Sequence, residues 1–166
     1  MTASIATRPQ RPEDRDFLGL LYRSFRWDEL AVLAHWSDVD KIAFLDQQFA
    51  AQYAHYAAHY GASEFLIIVA DAAPIGRLAI DRSSPCEIRI VDIGLLPEWR
   101  GLGLGSGYLR AILDEATATD RAVTIHVEQF NPALSLYQRL GFTPVEARGP
   151  YWLMEWRARV DQANTA

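Results

Sequence analysis

Two hydrophobic periods run through this chain and predict its elements. Ile42, Leu45, Phe49, Tyr53, Tyr56 and Tyr60 recur at spacings of three and four, which predicts an amphipathic helix with Ser37 or Asp38 as its cap and Gly61 at its end. An earlier helix starts at Arg11-Pro12-Glu13-Asp14, where proline suits the first helical position and acids the first turn. Phe17, Leu18, Leu21 and Phe25 carry its apolar face. Trp27–Ser37 reads as a loop with one helical turn. Ser4–Thr7 alternates and predicts a short first strand. Glu64–Ala70, Ile75–Asp81 and Glu87–Leu96 are apolar, β-branched runs between turn-forming clusters, and fit an antiparallel meander. A second helical stripe, Leu104, Tyr108, Ile112, Leu113 and Ala116, follows a glycine-rich stretch. Ala122–Val127 predicts a strand, Asn131-Pro132 to Gly141 a helix, and Phe142–Glu146 with Tyr151–Trp156 a closing hairpin. The order β-α-α-β-β-β-α-β-α-β-β predicts an α/β (α+β) fold: about seven strands in a largely antiparallel sheet, flanked by four helices.

Composition narrows the class. The chain has 166 residues, half of them apolar, enough for one self-supporting domain, here expected at 4–158 with loose ends at 1–3 and 159–166. Sixteen basic against 21 acidic residues give a net charge of −5, which argues against a nucleic-acid partner. The single cysteine, Cys86, excludes an internal disulfide and a cysteine-based zinc site. No apolar run is long enough to span a bilayer, and the first ten residues lack a signal core. The expectation is a soluble cytoplasmic protein that binds neither membrane nor nucleic acid.

The segment Leu95-Leu96-Pro97-Glu98-Trp99-Arg100-Gly101-Leu102-Gly103-Leu104-Gly105-Ser106-Gly107 joins a buried strand to a helix through alternating glycines. Such a turn lets backbone N–H groups approach an anion at a positive helix terminus, with Arg100 alongside. The spacing does not match Gly-x-Gly-x-x-Gly, since Ser106 and Tyr108 fall where the third glycine belongs. The lysine of a Walker loop is missing too.

Arg100-x-x-Gly103-x-Gly105 resembles the acyl-CoA pyrophosphate motif of the GNAT superfamily of N-acetyltransferases. Ile93-Gly94-Leu95-Leu96-Pro97-Glu98 resembles that family's fourth strand and its Pro-Glu turn, and Asn131–Phe142 its helix ending in Leu-Gly-Phe. Leu102 departs from the pattern, where a basic residue is common. The resemblance implies a parallel, splayed fourth and fifth strand holding acetyl-CoA as co-substrate, with no metal. It places backbone groups of Ile93 and Leu95 on the pantetheine, and the Ile93 amide on the thioester carbonyl as an oxyanion donor. Arg100, Gly101, Leu102, Gly103, Leu104, Gly105 and Ser106 would hold the pyrophosphate, and Asn131 would contact the cofactor. Asn131 also suits a plain helix cap.

The resemblance places Tyr137 where the family carries a general acid. A phenol with a pKa of about 10 stays protonated at neutral pH and can donate to the departing thiolate. The same residue also reads as a core tyrosine. For the general base, Asp92 and His126 both qualify: a partly buried carboxylate in phase with Ile88 and Ile90, and an imidazole near the end of the partner strand. Either could equally be structural. Glu87 lies about 20 Å of strand from Ile93 and ranks last. His55 and His59 have metal-ligand spacing but no third ligand, and read as a solvated helix face. Trp27, Asp28, Glu29, His35 and Trp36 fall where the family borders its acceptor pocket.

The implied reaction is acetyl transfer from acetyl-CoA to a primary amine, small molecule or peptide, by direct attack in a ternary complex. The alternative is a non-catalytic acyl-CoA-binding regulatory module of the same fold. Many family members form homodimers, though no interface signal stands out here. The negative charge is uneven: residues 27–81 carry net −6 and the remainder +1. That places the acidity beside the expected acceptor pocket and favours a cationic amine.

Overall fold

The computed structural model describes residues 3–159. Residues 1–2 and 160–166, expected as loose ends, lie outside the described residues. Seven strands form one sheet: β1 (Ile5–Pro9), β2 (Glu64–Ala70), β3 (Ala73–Asp81), β4 (Glu87–Leu95), β5 (Ala122–Glu128), β6 (Thr143–Arg148) and β7 (Tyr151–Trp156). Their order is β1-β2-β3-β4-β5-β7-β6. The β1–β2, β5–β7 and β6–β7 pairs are antiparallel, and β4–β5 is parallel. The parallel ladder runs from Glu87↔Ala122 to Ile90↔Ile125, although β4 continues to Leu95 and β5 to Glu128. Four helices complete the fold: α1 (Arg15–Arg26), α2 (Asp38–His59), α3 (Leu104–Ala118) and α4 (Leu134–Arg139).

The chain forms two compact units. The first holds the described residues up to Ala79 together with Asp92–Leu102. Its core joins Leu18 of α1, Phe49 of α2, and Ile67 and Val69 of β2, with Phe17, Tyr22 and Tyr53 packed around them. The predicted helix at Pro12 begins instead as a single 3-10 turn, Pro12–Asp14, before α1. Buried Asp14 fixes that turn: Arg8 donates two hydrogen bonds to its carboxylate at 2.8 and 2.7 Å, and the Arg11 N–H a third at 2.7 Å. The Arg8 pairing holds the Asp14 carboxyl below the usual carboxylate range. Trp27–Val32 is again a 3-10 helix, so the expected loop carries more order than one turn.

Ser37 caps α2, its Oγ accepting from the Asp40 N–H at 3.2 Å. Gly61 does not take the left-handed conformation, and α2 ends before it, with Tyr60 at the cap. β2 and β3 are buried along most of their length. Gly76 of β3 packs so tightly that a Cβ there would lie 2.5 Å from the Gly94 carbonyl oxygen.

The second unit holds Ile80–Val91 and the described residues from Gly103 onward. Leu109, Ile112 and Ala116 of α3, Val123 and Ile125 of β5, and Met154 of β7 are buried there. Glu115 of α3 accepts from Arg82 at 2.8 Å and Arg121 at 3.0 Å. After α4, Gly141 adopts φ +99°, a conformation that favours glycine.

Candidate active site

The glycine turn has the geometry of an anion cradle. Pro97–Trp99 makes one 3-10 turn, and Gly101 and Gly103 then take φ of +72° and +82°. Gly103 caps α3, whose first bond runs from the Gly107 N–H to the Gly103 carbonyl at 2.9 Å. The N–H groups of Leu104, Gly105 and Ser106 therefore have no acceptor within the helix, at its positive end. A Cβ at Gly101, Gly103, Gly105 or Gly107 would meet nothing within 4 Å. Backbone conformation favours glycine at 101 and 103. Packing demands it at none of the four, so the turn is uncrowded on the Cβ side of each glycine.

Arg100 does not extend along this cradle. Its Nε donates to the Leu95 carbonyl at 2.8 Å, its Nη2 to Ser24 Oγ at 3.0 Å, and its guanidinium carbon lies 4.4 Å from the Phe25 ring centroid. Burial pulls its pKa down. Phe25 in turn abuts Gly94, where any Cβ would collide with the ring. The charge foreseen beside the anion thus serves first to fasten α1 to the end of β4.

Asp92 lies on β4 opposite a residue that sequence reasoning passed over. Arg77 of β3 is 5% exposed, and its Nη1 reaches Asp92 Oδ2 at 3.2 Å. Tyr56 and Phe65 flank the guanidinium, with ring centroids at 5.0 and 5.5 Å. Burial raises the Asp92 pKa, against the opposing pull of Arg77, the adjacent Ile93 N–H and Arg26. About 31% of the Asp92 side chain stays accessible, so a proton donor can reach it. Ile93, whose amide is expected on the thioester carbonyl, follows Asp92 directly on β4.

His126 of β5 has Arg148 as its partner, with Nη1 at 3.2 Å from Nε2. A guanidinium only donates, so Nε2 is the acceptor and the ring proton of the neutral imidazole sits on Nδ1. Burial first, then Arg89 and Arg148, push the His126 pKa down. The one ring lone pair of the neutral imidazole is thus occupied by Arg148. Glu87 pairs with Arg89 at 3.0 Å and accepts from Thr124 at 3.1 Å, as suits a structural group.

Tyr137 is 5% exposed on α4, its ring edge-on to Phe142 at 5.7 Å. Asn131 Oδ1 accepts from the Ala133 N–H at 2.8 Å and shapes the turn into α4. Leu102 is exposed. His59 Nδ1 lies 3.0 Å from the His55 carbonyl, and the described residues contain no group of three or more His, Cys, Asp or Glu able to hold a metal. No helix among them is long and apolar enough to cross a membrane.

Within the first unit, a cavity of about 420 Å³ opens between apolar Leu20, Trp27, Ile42 and Leu96, with Arg23 and Glu98 as its charged lining residues. Arg23 is already bridged to Asp46 at 3.3 Å. Nearby, Trp36 packs edge-on against Phe44, and Glu29 pairs with Arg26.

These features define a class: a mixed sheet with one parallel pair and a glycine cradle opening a helix, the frame of acyl-CoA-dependent transferases. The chain belongs to the acetyltransferase (GNAT) family, whose family model matches residues 23–142. Its fold is shared with the PaiA N-acetyltransferase of Thermoplasma acidophilum in complex with coenzyme A, at 18% identity and TM-score 0.69 over 93% of this chain and 99% of that one. It is shared with Naa50 of Arabidopsis thaliana in complex with the bisubstrate analogue CoA-Ac-MVNAL, at 18% identity and TM-score 0.58 over 93% and 99%. A GNAT family acetyltransferase from Elizabethkingia anophelis with acetyl-CoA bound matches at 15% identity and TM-score 0.56 over 93% and 98%. No curated protein matches the chain in sequence.

Proposed function

We propose that this protein, as a single domain spanning residues 4–158, is a cytoplasmic N-acetyltransferase acting by direct attack of a primary amine in a ternary complex. The carrying observation is the open glycine cradle at the start of α3, with its left-handed Gly101 and Gly103. Acetyl-CoA supplies an activated acetyl thioester. The amides of Gly101 to Ser106 hold its pyrophosphate, and the β4 backbone around Ile93 and Leu95 its pantetheine. Asp92 takes the proton that the incoming ammonium must lose. The Ile93 N–H stabilises negative charge on the carbonyl oxygen during attack. Tyr137 gives its phenolic proton to the departing thiolate and is reprotonated, through solvent, by the second proton that the nitrogen sheds as the amide forms. Asp92 is preferred to His126 because the His126 lone pair is held by Arg148.

The test is thiol release from acetyl-CoA across a panel of amines. Turnover with any amine supports the enzyme reading, whereas tight acetyl-CoA binding without release across the panel supports the non-catalytic module. Within that panel, cationic amines with apolar bodies are expected to be used in preference to neutral or acidic acceptors. The largely apolar cavity and the net −6 of residues 27–81 both point that way. Equal use of acidic acceptors defeats this preference.

The cradle itself predicts a binding result. Gly103→Ala forces a Cβ into φ +82°, at a cost of about 1–3 kcal/mol, and is expected to weaken acetyl-CoA binding about tenfold. Gly107→Ala, within the helix and in open space, is expected to gain about 0.5–1 kcal/mol of stability. Calorimetric titration and thermal melts of the two variants check both.

A further inference from the structure

We infer that Arg77 is a positioning residue for the transfer reaction: its guanidinium fixes the Asp92 carboxylate in place and keeps it ionised until the amine arrives. The inference rests on the reading of Asp92 as the base.

Three observations carry it. First, Arg77 is buried in β3, a strand otherwise apolar from Ile75 to Ile80, and among the described residues its acidic partner is Asp92, at 3.2 Å. Second, the fold grips the guanidinium without satisfying it. Tyr56 and Phe65 flank it, while its Nε is buried with no hydrogen-bond partner among the described residues. A side chain kept only for packing would do better as Leu or Met, since an unpaired buried N–H is unfavourable. Third, among the described residues the cations that act on the carboxylate are Arg77 from β3, in direct contact, and Arg26 from α1, which is itself paired with Glu29 at 3.2 Å.

The burial of Asp92 gives Arg77 a specific task. Burial favours the protonated, inactive carboxyl. Arg77 opposes this with a fixed charge that does not move with the substrate. It keeps the base deprotonated, and burial keeps the base strong enough to accept a proton.

The sign follows. Asp92 is active when ionised, so removing the Arg77 charge raises its pKa and moves the acid limb of kcat/KM to higher pH. An opposite charge at this distance shifts a carboxylate enough that activity on the acid limb should fall about tenfold or more in Arg77→Gln, with recovery as pH rises. Arg77→Met serves where Arg77→Gln does not fold. Arg77→Lys, which keeps the charge, should restore the profile most of the way. The Asp92 carboxyl is followed in parallel by NMR titration of the free protein, which needs no acceptor. Its midpoint should rise in the neutral variants and return in Arg77→Lys. An unchanged midpoint in a folded neutral variant overturns the inference. So does an equal loss of rate at every pH, which marks a packing role alone. Full activity of Asp92→Asn overturns the reading of Asp92 as the base and with it this use of Arg77, even where the carboxyl midpoint moves.

Discussion

Tyr137→Phe is expected to lower kcat by about 10²- to 10⁴-fold, the range for a lost general acid, with acetyl-CoA affinity nearly unchanged. The substitution removes one hydroxyl and leaves the ring, so the edge-on contact with Phe142 survives. Folding stability should change by only about 1 kcal/mol, the usual net value of one hydrogen bond. Steady-state kinetics with an acceptor from the amine panel, alongside calorimetric binding of acetyl-CoA, separate the two effects. Unchanged turnover makes Tyr137 a core residue and leaves protonation of the thiolate to solvent.

Gly76→Ala is expected to cause the largest loss of stability from a single methyl group. Its Cβ would lie 2.5 Å from the Gly94 carbonyl oxygen, 2.6 Å from Leu95 Cδ2 and 3.3 Å from Leu95 Cα. Two of these neighbours are backbone, which cannot swing aside as a side chain can. Overpacking of this kind costs about 3 kcal/mol. For a chain of this size that lowers Tm by about 6–12 °C. The displaced backbone at 94 and 95 is also the stretch assigned to the pantetheine, so acetyl-CoA affinity should fall in the same variant. A melting temperature within about 2 °C of the parent would show that β3 and β4 can separate freely there.

The helical stripe of α2, the apolar runs of β2 to β5 and the glycine turn were all legible in the sequence, because each is a local pattern. Periodicity marks a buried face whatever it is buried against. The 3-10 turns at Pro12–Asp14 and Trp27–Val32 were not, since they are fixed by contacts such as Arg8 with Asp14. The glycine at 61 misled because a glycine near a helix end need not adopt positive φ.

At the candidate site, types of residue were readable and partnerships were not. Asp92 was found as a half-buried carboxylate, but Arg77 was missed. A usable signal was present: one arginine within Ile75-Gly76-Arg77-Leu78-Ala79-Ile80 cannot be buried without an opposite charge. Arg100 was placed by its motif beside an anion, yet its side chain turns to Ser24, Phe25 and the Leu95 carbonyl. A motif fixes where a backbone passes more firmly than where a long side chain ends.

The wedge formed by Phe25 against Gly94 and under Arg100 also restricts how relatives of this chain can diverge. A side chain at 94 has room only if 25 becomes smaller than phenylalanine. A smaller residue at 25 removes the ring on which Arg100 lies. Drift at these three positions is therefore expected to be concerted: substitution at any one of them should be accompanied by substitution at another.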